Sequence, residues 1–366
     1  GLTFVLLLAN DGVLRAIGGA QAGLRRALAP TAWVAALVVA LAGYGAVRSA
    51  AIGVDRREPP LTAGVVQANI AQYDRMRAFL GTYEAVRTIL DAHFDLSATL
   101  VARGDLDLLV WPETVYPTTF GSPKSADGAA FDREIAGFAS RAGVPLVFGS
   151  YDVEDGREFN AAFFLDARAP AAPAGPMTFE TYRKASLFPL TERVPALLDS
   201  DLVRRWLPWL GTWKPGAGGD VVAVTLRGGR RLLVAPLICY DVLDPRLPLA
   251  AVRRGAELIL TLSNDSWFDA GAGPRLHLVG AAFRSVETHR PQLRATNTGI
   301  TAAIDPLGTI TAVAPLRERT TLVATLTPTH TASSPYLRYG DWLGPTALAT
   351  ATVIMAAALR RLLAAH

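Results

Sequence analysis

Two long stretches without a single charge bracket this chain, and they constrain it more than any other feature. Thr31 to Val47 is seventeen uncharged residues with Arg26 before it and Arg48 after it. Trp342 to Leu359 is eighteen, closed by Arg360 and Arg361. A membrane-crossing helix needs about 20 mostly apolar residues at ~1.5 Å rise each, so both runs are candidate spans. The competing reading of either is a buried core helix. Composition sides with the membrane: of the 366 residues 51% are apolar and only 19% charged, against ~25% charged in ordinary soluble domains. The same apolar content excludes intrinsic disorder. A single cysteine excludes an internal disulfide framework and a multi-cysteine zinc site. The formal net charge of +4 gives nucleic-acid binding no support.

The chain opens at Gly1 inside an apolar run (Leu2 to Ala9) and reads as a segment of something longer. No positive charge precedes that run, so a signal peptide is a poor description of it. Arg360 and Arg361 point to a cytoplasmic C-terminus. Around the first run three arginines before (Arg15, Arg25, Arg26) balance three after (Arg48, Arg56, Arg57), and orientation stays open there. The expected organisation is a membrane-embedded segment over 1–59, an α/β domain over 60–328, and a linker with a transmembrane helix over 329–366.

In the middle part short β-like runs alternate with helix-like ones, which argues an α/β domain with a layered sheet. Strand candidates are Gly64 to Ile70, Leu106 to Trp111, Pro145 to Phe148, Ala161 to Leu165, Arg231 to Ile238, Leu258 to Leu262, Ala302 to Ile304 and Ile310 to Val313. Apolar residues at helical spacing predict a helix over 75–101 and another over 278–288. Pro170, Pro173 and Pro176 among alanines mark a loop.

Reactive groups in open α/β folds gather beyond the carboxyl ends of strands, and three residues fit. Glu113 follows Trp111-Pro112, where the proline ends the ladder. Cys239 follows Leu232 to Ile238. Lys184 lies in Tyr182-Arg-Lys-Ala-Ser-Leu-Phe-Pro189. Only three of the 36 basic residues are lysine (Lys124, Lys184, Lys214), which favours a position needing a compact ammonium. Singly, these residues equally describe a core cysteine, a helix-start glutamate and a solvated loop lysine. Jointly they complement one another. A free thiol is only a few per cent thiolate at neutral pH and needs a base or a nearby cation. Glu113 can take the proton and later return it, and Lys184 can bind an oxyanion. The five histidines (His93, His277, His289, His330, His366) show no metal spacing, and neither a phosphate loop nor a Gly-x-Ser-x-Gly elbow occurs.

Trp-Pro-Glu113, Tyr-x-Lys184-x-x-Leu-x-Pro-x-x-Glu192 and Ile-Cys239-Tyr-Asp resemble the Glu-Lys-Cys triad of the nitrilase, or carbon-nitrogen hydrolase, superfamily. Val66-Gln-Ala-Asn-Ile70, Leu262-Ser-Asn-Asp-Ser-Trp-Phe268, Gly273-Pro-x-x-His277, Arg294-Ala-Thr-Asn-Thr-Gly299 and Tyr336-x-Arg-x-Gly-Asp-Trp342 narrow the likeness to the apolipoprotein N-acyltransferases. That resemblance implies an α-β-β-α sandwich flanked by transmembrane helices. It assigns Cys239 as nucleophile, Glu113 as base and Lys184 as oxyanion stabiliser, with Glu192, Tyr240 and Asp241 supporting them. It implies no cofactor or metal, a monomer in the bacterial inner membrane, multi-pass, with its catalytic domain on the periplasmic side. An acyl chain would pass from a phospholipid to Cys239 as a thioester, and then to the α-amino group of an S-diacylglyceryl cysteine on a lipoprotein. Asn264, Trp267, Phe268 and Phe188 are candidate substrate-binding residues, of which Trp267, Phe268 and Phe188 would shield the thioester from water. The chain departs from the family where Asp241 replaces the usual glutamate, where Leu190-Thr191 replaces Phe-Gly, and where Tyr73 stands near a usual Lys-Trp. A membrane-anchored amidase on the same triad, or a non-catalytic membrane module keeping the fold, are the alternatives.

Overall fold

A computed structural model describes residues 2–20, 24–53, 59–71, 73–167, 178–194, 200–207, 211–268, 271–329 and 333–364. The proline-rich stretch at Pro170, Pro173 and Pro176 lies outside them. The chain forms two compact units, Gly1–Asp55 with Arg338–His366, and Arg56–Leu337.

The chain begins with helices α1 (Leu2–Ala20) and α2 (Leu24–Gly53). The second unit then opens with β1 (Leu61–Gln67), α3 (Tyr73–Leu80), α4 (Thr82–Val101), β2 (Leu108–Val110), β3 (Tyr116–Thr119) and α5 (Ala126–Ala142). It continues through β4 (Leu146–Glu154), β5 (Arg157–Leu165), β6 (Phe179–Arg183), α6 (Asp201–Trp206), β7 (Val222–Thr225) and β8 (Arg231–Ile238). A 3₁₀ turn (Cys239–Leu243) leads to α7 (Arg246–Arg253), β9 (Leu258–Ser263), a second 3₁₀ turn (Asp265–Trp267) and α8 (Gly273–Thr288). The strands β10 (Gln292–Thr296), β11 (Ala302–Ile304), β12 (Ile310–Val313) and β13 (Thr320–Leu326) follow, then helices α9 (Pro335–Tyr339) and α10 (Leu343–Ala364).

The strands make two sheets. One has the order β13-β1-β2-β4-β5-β6, with β3 paired to β4; the other runs β12-β11-β10-β9-β8-β7. Successive side chains of a strand point to opposite faces, and the core sorts accordingly. From β8, Leu232, Val234 and Ile238 join Leu258, Leu260 and Leu262 of β9 in a cluster that also takes Leu61, Ala63 and Val65 from β1 of the other sheet. That cluster is the interior between the sheets. The alternate residues Ala235, Leu237 and Ile259 face outward onto α7 and α8, through Val252, Leu278 and Ala281. On the far side Val66, Leu109 and Leu146 meet α4 and α5 through Val86, Leu90 and Ile135. The order of layers is α-β-β-α.

The sequence expectations hold for most strands and need correction at two points. The helix predicted over 75–101 is two helices. The chain breaks at Gly81, whose φ of 82° lies where only glycine is unstrained. Strands β3, β6, β10 and β13 interleave polar with apolar residues, and β10 even contains a fully buried arginine, Arg294, whereas β7 lies in the apolar run Val221 to Val224 and is missed without such a reason. In the first unit Ala32–Ile52 and Leu343–Arg361 are long and apolar enough to cross a membrane by length and composition, and neither is buried inside the protein as a core helix is.

Candidate active site

Topology brings the strand ends together. β2 is parallel to β4, and two antiparallel steps, β4 to β5 and β5 to β6, restore the original direction in β6. Glu113, just beyond β2, and Lys184, directly after β6, therefore leave the first sheet at the same end. In the second sheet β8, β9 and β10 are parallel neighbours, with Cys239 following β8 and Asn264 following β9. The Asn264 N–H donates to Glu113 Oε2 at 2.7 Å, tying one sheet to the other.

Glu113 is held from several sides. The Trp111 indole is fully buried and donates to Ser97 Oγ at 2.8 Å, while the Trp111 N–H bonds to Val147 O of β4 at 2.8 Å. Gly149 lies flat against the turn: its N–H donates to Pro112 O at 3.0 Å, and a Cβ there would sit 2.6 Å from Glu113 Cα and 2.5 Å from Thr114 N. Glu113 Oε1 accepts from Asn160 Nδ2 at 2.8 Å and faces Lys184 Nζ at 3.4 Å. Lys184 is 1% exposed and also donates to Glu192 Oε1 at 2.7 Å. Glu192 Oε2 in turn accepts the Phe188 N–H at 2.7 Å, so the loop after the lysine closes on its own carboxylate. Burial works against the Lys184 ammonium, but the carboxylates of Glu113 and Glu192 outweigh it and hold the group above its ordinary value.

Cys239 stands at the tip of β8 with φ 49°, a left-handed conformation that costs a non-glycine residue about 1–2 kcal/mol. Burial, then the negative charge of Glu113, push its thiol up to about 12, with Lys184 pulling the other way. A sulfur in that setting rests as a thiol, and a thiol serves as a nucleophile only when a base takes its proton. Asp241, two residues on, is fully buried and stitches the site. Its Oδ1 accepts the N–H groups of Ala185 (3.1 Å) and Ser186 (2.6 Å), and its Oδ2 accepts Ile238 N–H (3.0 Å) and Tyr182 OH (2.9 Å). The shorter aspartate thus joins the lysine segment to the cysteine strand through four hydrogen bonds.

Glu113, Lys184 and Cys239 line one cavity of about 480 Å³, whose lining is otherwise mostly apolar (Phe188, Leu243, Trp267, Phe268 and Leu276) with Thr191, Glu192, Asn264 and His277 as further polar members. Trp267 is 74% exposed, so it sits at a mouth and not in a core. Tyr240 packs edge-on against Phe188, ring centroids 5.1 Å apart. All ten residues singled out from the sequence touch this cavity except Asp241, which lies beneath it. A second cavity of about 550 Å³ shares Glu113, Thr191, Glu192, Asn264 and Trp267 with the first, and its further walls mix polar and aromatic groups such as Arg75, His93, Asn160 and Trp213 with Ile70, Ile89 and Val115.

Four buried residues escape the sequence analysis as functional candidates. Asn160 lies inside β5, where a lone polar residue in a strand gives no signal. The others form a cluster behind the cysteine: Arg294 Nη2 meets Asp265 Oδ2 at 2.8 Å, His277 Nδ1 lies 3.0 Å from Asp265 Oδ1 and 3.0 Å from Arg294 Nη2, and His277 Nε2 lies 3.2 Å from the Cys239 carbonyl oxygen. Burial opposes the charge of Asp265, yet Arg294 and then His277 hold its carboxyl well below the usual carboxylate range. A buried Asp and Arg within the quoted Ser-Asn-Asp and Arg-Ala-Thr-Asn blocks are the only sign in the text that these residues pair.

A four-layer sandwich presenting a glutamate, a lysine and a cysteine from three strand ends to one cavity is the nitrilase-type architecture. Residues 62–336 match the carbon-nitrogen hydrolase family, and the chain belongs to that family. It is similar to the apolipoprotein N-acyltransferase of Geobacter metallireducens, 32% identical over 99% of this chain and 66% of the relative. It is also similar to that of Pseudomonas paraeruginosa, 32% identical over 77% of this chain and 51% of the relative. The chain thus spans from about half to about two thirds of the length of the curated relatives it matches. Among solved structures it resembles an amidase from Nesterenkonia sp. AN1 with an acetamide moiety on its active-site cysteine (20% identity, 78% of this chain and 98% of that one, TM-score 0.54). It also resembles the yeast Saccharomyces cerevisiae Nit3, a nitrilase-superfamily member (16% identity, 74% and 90%, TM-score 0.51). At these identities the structural likeness speaks for the fold.

Proposed function

We propose that the protein is a membrane-anchored acyltransferase that moves a fatty acyl chain from a phospholipid, through a thioester on Cys239, to the α-amino group of an S-diacylglyceryl cysteine at a lipoprotein N-terminus. One observation carries this reading: Glu113, Lys184 and Cys239 share a cavity with five large apolar side chains, Phe188, Leu243, Trp267, Phe268 and Leu276, which suits a hydrocarbon chain better than a small polar amide. The names of the relatives support it. So does the pair of apolar helices, because a ~16-carbon chain is held in lipid by roughly 12 kcal/mol at about 0.8 kcal/mol per methylene. A site that takes such a chain must be brought to the bilayer.

In this reading Glu113 takes the thiol proton as Sγ attacks the ester carbonyl. Lys184 meets the oxyanion, where removing one such donor typically costs ~2.7–4 kcal/mol. The C–O bond then breaks, and the leaving alkoxide receives the proton from Glu113. In the second half the acceptor amine attacks the thioester carbonyl and gives its proton to Glu113. The C–S bond breaks and Glu113 passes that proton to the sulfur, so each half-reaction returns Glu113 to its carboxylate and the two together restore the free thiol. Glu192 anchors Lys184 and the Phe188 loop, and Asp241 holds the backbone of the lysine and cysteine segments together. Phe188, Trp267 and Phe268 keep water from the thioester. Residues 1–59 and 329–366 serve as membrane segments and 60–328 as the catalytic domain, which acts as a monomer facing the periplasm of a bacterial inner membrane.

Intact-mass analysis tests the mechanism. Phosphatidylethanolamine vesicles are expected to add one acyl chain to the wild type and none to Cys239→Ala, and a diacylglyceryl peptide is expected to remove it as an amide. Release of free fatty acid alone would mark a hydrolase. An unchanged acyl adduct in Cys239→Ala would end the thioester mechanism.

A further inference from the structure

We infer that His277, oriented by the buried Asp265–Arg294 pair, is a positioning residue that sets the Cys239–Tyr240 peptide plane for catalysis. The inference rests on Cys239 being the nucleophile. Chemistry fixes the histidine's tautomer: a carbonyl oxygen only accepts, so the His277 Nε2 that faces Cys239 O at 3.2 Å carries hydrogen. Nδ1 then either accepts from Arg294 Nη2 or, in the imidazolium, donates to Asp265 Oδ1, each 3.0 Å away. Both states leave Nε2–H on the carbonyl, so the grip on Cys239 persists whichever holds.

The consequence follows from peptide geometry. A trans peptide is planar and points its N–H opposite to its C=O. Pinning the Cys239 carbonyl toward α8 therefore also fixes the direction of the Tyr240 N–H, the donor adjacent to the nucleophile. The plane needs such a clamp, because Cys239 holds a left-handed φ of 49° that its own side chain disfavours. The clamp is rigid: Asp265 and Arg294 side chains are 0% exposed and His277 4%. Gly299 lies so close to the Asp265 carboxylate that no Cβ fits between them. The three residues come from the turn after β9, from α8 and from β10, so the cysteine backbone is referenced to three elements besides its own strand. This gives a physical task to the Ser-Asn-Asp, Gly-Pro-x-x-His and Arg-Ala-Thr-Asn blocks, none of which contributes an atom to the proton transfers.

The test separates two reactions of the same sulfur in the full chain. Acylation by a p-nitrophenyl acyl ester passes through an oxyanion, whereas alkylation by iodoacetamide does not. For His277→Leu the acylation rate is expected to fall ~10²-fold, the scale of one lost oxyanion donor, at little change in KM and with alkylation within about twofold of wild type. His277→Gln places an N–H where Nε2 was and is expected to recover most of the acylation. Wild-type acylation in His277→Leu, or a parallel fall of both reactions with no recovery in His277→Gln, would overturn the assignment. Because the ester is soluble, failure of the wild type on phospholipid alone counts against the lipid donor and leaves the His277 result standing. A wild type inert to the ester overturns the nucleophile and this inference together.

Discussion

Charge at the cysteine separates two roles that Glu113 could play. Its carboxylate is one of the forces pushing the Cys239 thiol up to about 12, second to burial, so at rest it disfavours the thiolate. In the proposed reaction it is also the base that removes the proton when the carbonyl arrives. Glu113→Gln therefore has effects of opposite sign: the thiol becomes more acidic in an ultraviolet titration, while acyl-enzyme formation slows by ~10²-fold or more. Acylation that rises with the thiolate fraction would assign Glu113 an electrostatic role only. Asp241 shows how a residue can matter without reacting. Four donors converge on its buried carboxylate, and its identity is tied to where those backbones lie.

Glu113 is positioned by a neighbouring strand as well as by its own loop. β4 reaches Glu113 through Gly149, whose missing side chain lets the two backbones touch. A methyl group at that point overlaps backbone atoms that have no rotamer to escape into. Gly149→Ala is expected to displace Glu113 and lower acylation about 10²-fold, since a shift of ~1 Å in a catalytic group costs that much. Alkylation of Cys239 on β8, in the other sheet, should change far less. Equal losses in both reactions would show that the whole site, and not the glutamate turn, depends on this contact. The break at Gly81 and the polar strand β10 carry the matching lesson for sequence analysis. Apolar periodicity locates elements that bury a plain hydrophobic face, and it passes over a helix interrupted by one backbone angle or a strand that buries an ion pair.

Across the whole molecule, buried ionisable groups couple stability to pH. His93 on α4 is 1% exposed, with Nδ1 2.8 Å from Ile89 O and its ring 5.3 Å from that of Trp111. Burial lowers its value to about 4, below that of an unfolded histidine near ~6.5. The unfolded state then binds the proton first, so the stability due to neutral His93 is complete above pH ~6.5 and is lost as pH falls toward 4. The loss is on the order of 3 kcal/mol. His93→Phe has no proton to take up, and chemical denaturation from pH 7 to 4 should move the stability difference in the variant's favour by about that amount. A difference that stays flat with pH would mean that His93 is charged or solvated in the native state.

The amino-acid sequence by itself determined the sandwich's main strands, the apolar terminal helices and the chemically competent Glu113, Lys184 and Cys239. Each of these is written locally, in runs of like residues or in a reactive group after a strand-ending pattern. Only the tertiary structure decided which groups meet. The lysine's distance to Glu113, the left-handed cysteine and the His277–Asp265–Arg294 clamp join residues up to 71 positions apart. Those encounters depend on two sheets stacking in one register and aligning their strand ends, a long-range packing result that no short window of sequence encodes.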